Sequence, residues 1–558
     1  MENRALIALA LSFVIFLVFI YVGEHFKRPG APPAPAPVAE KAAPAAEVRP
    51  AAPAPAPVKP QPVTRPAREV VVDTPLFKAV FTELGGRLQS FRLKKYLENL
   101  SIVTTSSFKL GPVDFEVQRY QPIQEAKPEL KELIRPGKSQ ELPLAVSWEG
   151  KNLTVPALLP CEASAAQVVL KPGEKGTLKF TCISPEGVAF SKTYSFNSDS
   201  YSFDLAVKVA NHTSQSLEGT LDLELSENYA SEEASRFHFL GFNGSIDRHW
   251  EEIKSGGLKD PKTFTGKVEW AGLDEGYFIT AAIPAAPKAT VVLREKPQEP
   301  MVALIKTPVE ALPPGQEAQF SYTLYFGPKE VNDLKPIGLD GAVNFGWFDF
   351  LGKPLLSFLK FLDRFSPNYG WAIIILTFLI RVVFFYPNHK SYKSMKDMQK
   401  LQPKVAKIRE KYKDDKEAMN KELMGLYRTF KVNPMAGCLP MVLQLPVFIA
   451  LYNVLGYAIE LRHASFIPTL PLTNIVWLAD LSAKDPLLIT PLVMGATMFL
   501  QQKMTPSAGD PTQAKMMMFL PLIFTFLFLN FASGLVVYWL VNNVLSIIQQ
   551  YYTNKYLT

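Results

Sequence analysis

The chain reads as a membrane α-helical bundle carrying an all-β domain outside the cytoplasm and a helical hairpin inside it, and three observations predict this. Apolar residues are gathered into a few long runs, although the overall hydrophobic content is an unremarkable 48%. A long middle stretch alternates apolar and polar residues with period two, as half-buried strands do. One strongly basic segment interrupts the apolar runs near the C-terminal third, as a cytoplasmic loop does. A length of 558 residues leaves room for two or three folding units.

The first apolar run, Ala5 to Val22, has about the ~20 residues needed to cross a bilayer. No short cleavage region follows it, so residues 1–28 read as an uncleaved transmembrane anchor rather than a signal peptide. Residues 29–68 hold 13 prolines among 40 residues, mixed with alanine. Proline fixes φ and removes donors, so this stretch reads as an extended, semi-rigid linker.

Residues 69–330 read as the β-domain. Phe203, Leu205, Val207 and Val209 alternate with Asp204, Ala206 and Lys208, and Leu221, Leu223 and Leu225 alternate with Asp222 and Glu224. Phe320, Tyr322, Leu324 and Phe326 repeat the pattern, which argues for a sandwich of antiparallel sheets. Cys161 and Cys182 fall in this domain without metal-ligand spacing. A single disulfide is open to them, with two unpaired core cysteines the more ordinary outcome.

Residues 345–366 are amphipathic, with Lys353, Lys360, Asp363 and Arg364 set among aromatics and leucines. They fit a helix lying in the membrane interface better than a span. Residues 367–558 then hold five apolar spans, near 369–386, 436–459, 487–501, 516–531 and 534–548. With the anchor the count is six. Residues 388–433 carry 13 Lys and Arg against six acids, a surplus of +7 equal to the formal net charge of the whole chain. That segment belongs in the cytoplasm, which puts both termini inside and the β-domain in the periplasm. Met395, Met398, Leu401, Val405, Ile408 and Tyr412, then Met419, Leu423, Leu426 and Phe430, recur at three- and four-residue steps. Two antiparallel helices sharing one seam explain this, with Pro403 expected to kink the first.

Arg381 most needs an explanation, because it lies within an apolar helix where a cation costs at least ~2.5 kcal/mol. It either snorkels to lipid phosphates or faces a hydrated cavity between the helices. No acid lies in the interior of the five C-terminal spans, which disfavours a structural ion pair and tips the reading toward the cavity. Thr377, Gln444, Tyr538, Trp539, Asn542 and Asn543 are the polar candidates to line it. Pro440, Pro446, Pro491 and Pro521 would bend their helices, and 519–531 holds five phenylalanines that could face lipid or a guest.

Nothing in the sequence has the form of an enzyme site. There is no phosphate-binding glycine loop, no nucleophile elbow and no His/Cys cluster, so neither a cofactor nor a metal is expected. A sugar-active site at His238, His249, Glu232, Glu233 and Asp247 is the minority reading of the β-domain. A transporter would show intramembrane charge pairs or a repeated half, and the sequence shows neither.

Five motifs carry a resemblance to the bacterial YidC-type membrane protein insertases, a family shared with mitochondrial and chloroplast inner-membrane insertases. They are KVNPMAGCLPMVLQLPVFIALY (431–452), LTFLIR (376–381), KLQPKVAKIREKY in the hairpin, DPLLITPLVMGATMFLQQKM (485–504) and SGLVVYWLVNN (533–543). The resemblance implies a client groove open to lipid and cytoplasm, lined by Arg381, Thr377, Gln444, Tyr538 and Trp539. It also implies a hydrophobic slide at Leu445, Pro446 and Leu527, and a β-super-sandwich for the periplasmic domain. Implied partners are nascent membrane proteins, the lipid bilayer, and the Sec translocon with its accessory SecDF. The 388–433 hairpin would meet the ribosome and the signal recognition particle receptor. Two departures stand out. The tail after 548 holds only Lys555 as a cation, and Trp539 replaces another kind of aromatic common in the family.

Overall fold

In this computed structural model the described residues are 67–110, 113–121, 129–135, 141–229, 239–296, 299–430, 432, 439–504 and 511–556. The expected anchor and proline-rich linker lie outside them. The described residues form two compact units, one of 67–100 and 129–343, the other of 101–121 and 344–556. Residues 101–121, assigned to the β-domain from sequence, therefore cluster with the helical unit.

The first unit is all-β. Among the described residues its sheets have five, nine and six strands. The alternation seen in sequence is the alternation of burial: Phe203, Leu205, Val207 and Val209 point inward from the strand Ser202–Asn211, which pairs antiparallel with Val188–Asn197 and Glu317–Pro328. Aromatic rings fill the interior, with Phe77 stacked on Phe91 at 4.4 Å and Phe196 tilted against Phe203 at 5.2 Å. Lys192 takes an inward position and is fully buried. Its ammonium donates to the carbonyls of Gly85, Gly86 and Leu144 at 2.9, 2.8 and 2.6 Å, while burial pushes its pKa well down. Gly85 and Gly86 both hold positive φ here, and a Cβ on Gly86 would meet the Phe180 ring at 2.9 Å.

Cys161 and Cys182 are joined in a disulfide, which corrects the expectation of two free thiols. The cause is register: the strands Cys161–Ala163 and Lys175–Ile183 run antiparallel with the two cysteines directly opposite, Cα atoms 4.2 Å apart. Spacing along the chain cannot reveal that register.

The second unit is built on helices. An amphipathic helix, α1 (Asp349–Asp363), buries Leu356, Leu359 and Leu362. It turns Phe350, Phe358 and Phe361 outward, and Lys360 pairs with Glu460 at 2.9 Å. Next, α2 (Tyr369–Val383) is capped by Asn368, whose side chain accepts from Trp371 N–H at 3.2 Å. At Phe384 the chain bends by 63° into α3 (Phe385–Lys400). Pro387 explains the break: its ring would collide with the carbonyl four residues back, that of Val383, were the helix to continue.

The hairpin differs from the expected two helices. Its first half is divided at Leu401 between α3 and α4 (Gln402–Lys411), with Pro403 in the first turn of α4 instead of kinking a continuous helix. There its missing N–H costs nothing. Asp415 caps α5 (Lys416–Thr429), accepting from Glu417 and Ala418 N–H, and Lys404 lies 4.0 Å over the Phe430 ring.

The remaining helices are α6 (Leu439–Tyr457), α7 (Ile489–Met504), α8 (Pro511–Phe528) and α9 (Ser533–Tyr556). They fall where the last four apolar runs predict helices. Among the described residues no single helix is both long and apolar enough to cross a membrane; α2 and α3 meet that condition only together, as a bent pair. Leu376, Leu451, Leu455, Met494, Phe528 and Val537 pack into one core. Asp485, buried at the start of α7, accepts from Leu487 N–H, Thr490 N–H, the Thr490 hydroxyl and Trp477 Nε1 at 2.7–3.2 Å. The β-hairpin 102–120 joins this unit near that point, with Glu116 and Lys484 3.3 Å apart.

Candidate functional site

Arg381 occupies the last turn of α2 and is only 8% exposed. Its Nη2 donates to the Tyr392 hydroxyl on α3 at 3.0 Å. Its Nε–H has no partner among the described residues. Thr377, one turn earlier and also buried, spends its hydroxyl proton on the Ile373 carbonyl at 2.6 Å, a bond within its own helix. Gln444, half-buried on α6, donates to Asn542 Oδ1 on α9 at 3.2 Å. Tyr538 is 1% exposed; its hydroxyl lies beside Gln444 and in the field of Arg381, without a well-formed hydrogen bond. Trp539 is edge-to-face with Phe448 at 4.7 Å and packs on Phe528 at 5.3 Å, its indole N–H unpartnered among the described residues.

Three helices thus contribute Arg381, Gln444 and Tyr538, with Thr377 one turn before Arg381 on α2. Trp539 faces the aromatic side of α9. Of the expected slide residues, Leu445 and Pro446 are half-buried on α6, and Leu527 on α8 packs against the core cluster. Earlier on α8, Phe519, Leu522 and Phe526 are exposed, and α7 and α8 together line an apolar hollow of about 390 Å³.

The site also contains residues that sequence reasoning missed. Tyr392 is one. Others form a polar seam between α3 and the far half of α9: Gln549 donates to the Phe385 carbonyl at 3.0 Å, and His389 Nδ1 lies 3.3 Å from the Thr553 hydroxyl. The signal was present in the sequence, because Asn543, Ser546, Gln549 and Thr553 recur every three or four residues, but the expected span ended at 548.

Arg381 Nε, Asn388 Nδ2, Tyr538 Oη, Trp539 Nε1 and Asn543 Nδ2 are buried donors that lack protein partners among the described residues, and Gln549 Oε1 is a buried acceptor in the same condition. Each dry polar group costs about 1–3 kcal/mol, so the region favours water or a polar guest, with donors in the majority. Among the described residues no group of three His, Cys, Asp or Glu could hold a metal. In the β-domain, His249 is exposed on an edge strand and Asp247 accepts from Lys267 N–H at 2.8 Å. His238, Glu232 and Glu233 lie outside the described residues.

The profile of the 60Kd inner membrane protein family matches residues 361–558, and that of the YidC periplasmic domain matches 113–358. Membrane protein insertase YidC of Syntrophus aciditrophicus is 42% identical, with both chains fully covered. Its counterpart from Geotalea daltonii is 41% identical, again over 100% of each chain. A crystal structure of an active YidC insertase with its first transmembrane domain resolved aligns with 99% of this chain and 100% of its own. The identity is 18% and the TM-score 0.36.

Proposed function

The chain belongs to the YidC family of membrane protein insertases, with newly made membrane proteins as clients and the inner membrane as their destination, and on that premise we propose how it works. Arg381 heads a hydrophilic half-channel that receives the polar tail of an incoming protein. The observation that carries this reading is a guanidinium 8% exposed within an apolar helix, bonded to a tyrosine and to no carboxylate among the described residues. Drawing a polar tail through hydrocarbon is costly, and a wet cationic recess shortens the distance it must cross unaided. Gln444 and Tyr538 line the recess beside Arg381, with Thr377 behind it. Leu445, Pro446 and Leu527 guide the apolar segment sideways into lipid, and Trp539 stiffens that wall.

Release into lipid is downhill, so the cycle needs no nucleotide. Six spans with both termini in the cytoplasm put the β-domain in the periplasm, where it meets the Sec translocon and SecDF. The basic helices α4 and α5 face the ribosome and the signal recognition particle receptor.

The test is Arg381→Glu at normal expression, with a small single-span client bearing a short acidic periplasmic tail. Insertion is expected to fail and to recover when the tail is made less acidic. Unchanged insertion of every client would return Arg381 to snorkelling.

A further inference from the structure

Arg381 and Tyr392 are 11 residues apart. On one straight helix their Cα atoms would be separated by about 16 Å along the axis, beyond the reach of a hydrogen bond between them. They meet because the chain turns by 63° between α2 and α3. The docking of α3 on α9 holds that turn, through Gln549 on the Phe385 carbonyl and His389 beside Thr553.

The direction of the bond matters. Arg381 Nη2–H donates and the Tyr392 oxygen accepts, so the phenol keeps its own proton to give. Arg381 keeps Nε–H, which has no partner among the described residues. Tyr392 is half-buried, while Arg381 is buried behind it. Two donors from two helices are thus held together by a third hydrogen bond, and one of them is charged. A carboxylate has two oxygens with about four acceptor sites, and it can take both donors at once. A neutral amide or hydroxyl gains less from the same pair.

We propose that Tyr392 is a positioning and specificity-determining residue of the groove: it orients the Arg381 guanidinium and adds its own O–H as a second donor for carboxylates of a guest tail. This rests on the groove reading above. It also ties the hairpin to the groove, since a shift of α3 would withdraw the phenol and leave the guanidinium unaimed.

The experiment uses the full chain in proteoliposomes and two clients that differ only in the translocated tail, one with Glu and Asp, the other with Gln and Asn. The readout is the ratio of their insertion rates. Tyr392→Phe removes one oxygen and keeps the ring, and accumulation with an unchanged proteolytic pattern shows that it folds. The acidic-to-neutral ratio is expected to fall about tenfold, the size of one hydrogen bond to a charged group. In an Arg381→Gln background the same change is expected to have a smaller effect on the ratio, since the orienting role is gone and only the phenol's own donor remains to be lost. If Arg381→Gln lowers the ratio and Tyr392→Phe does not, Tyr392 merely packs and the proposal is overturned. If Arg381→Gln itself leaves the ratio unchanged, the groove reading fails and takes this proposal with it.

Discussion

Reducing the disulfide between Cys161 and Cys182 is expected to weaken the β-domain by an amount that follows from its loop. The two cysteines are 21 residues apart in sequence. Closing a loop of that length removes roughly 11 cal/mol/K of chain entropy from the unfolded state, about 3 kcal/mol at 25 °C. For a unit of this size each kcal/mol moves Tm by roughly 2–4 °C, so the shift should be about 6–12 °C. The loop encloses the strand Gln167–Val169 and most of Lys175–Ile183, and the latter pairs with Val188–Asn197 along nine residues. Because that backbone pairing, which includes Cys182 opposite Phe190, does not require the S–S bond, the domain should still fold when reduced, only less stably. The assay is thermal unfolding of the purified full chain, followed by tryptophan fluorescence, with and without reductant. The Cys161→Ser, Cys182→Ser double variant serves as the reduced reference. A Tm that moves by less than about 2 °C would refute the reasoning, and would mean that strand pairing already restrains this loop in the unfolded chain.

Two further outcomes follow from packing and charge, beside those stated for Arg381 and Tyr392. Burial, reinforced by nearby Glu141 and opposed by Arg294 and Arg87, raises the Glu224 carboxyl to about 7. A raised acid is protonated more readily in the folded state, so its contribution is full below about pH 4.5 and is lost as pH rises through about 7. The loss is at most about 3 kcal/mol, and Glu224→Gln should flatten the stability profile in that window. Gly495 on α7 has no room for a side chain, since a Cβ would overlap the Thr525 hydroxyl on α8. Gly495→Ala should cost about 1–3 kcal/mol in detergent-solubilised stability, and Thr525→Ala in the same chain should restore most of it; purely additive losses would show that the helices do not touch there.

What was legible in the sequence is what repeats locally. Period-two alternation placed the strands around Phe203, Leu221 and Phe320. Long apolar runs placed α2, α6 and α7 to within a few residues and found α8 and the start of α9, but they ended α9 eight residues short of Tyr556. Arg381 stood out because no ordinary apolar helix carries a guanidinium. The resemblance of the motifs around Asn433-Pro434 and Tyr538-Trp539 supplied the family, which the full-length relatives then showed.

Other features depended on the tertiary structure, because they depend on which distant atoms meet. The disulfide needed the register of two strands, and one residue of slip would have put the cysteines on opposite faces. Residues 101–121 clustered with the helical unit, which their own alternation does not announce. Pro403 sat at a helix start because Leu401 had already broken the chain. The partnership of Arg381 with Tyr392 needed the bend after Val383, and the polar seam of α9 was recognisable only once α3 lay against it. A sequence determines periodicity, charge and the torsional limits of proline directly, since these act over a few residues. It specifies the meeting of side chains only through the packing of the whole chain, where a bend of 63° decides which hydroxyl a buried guanidinium finds.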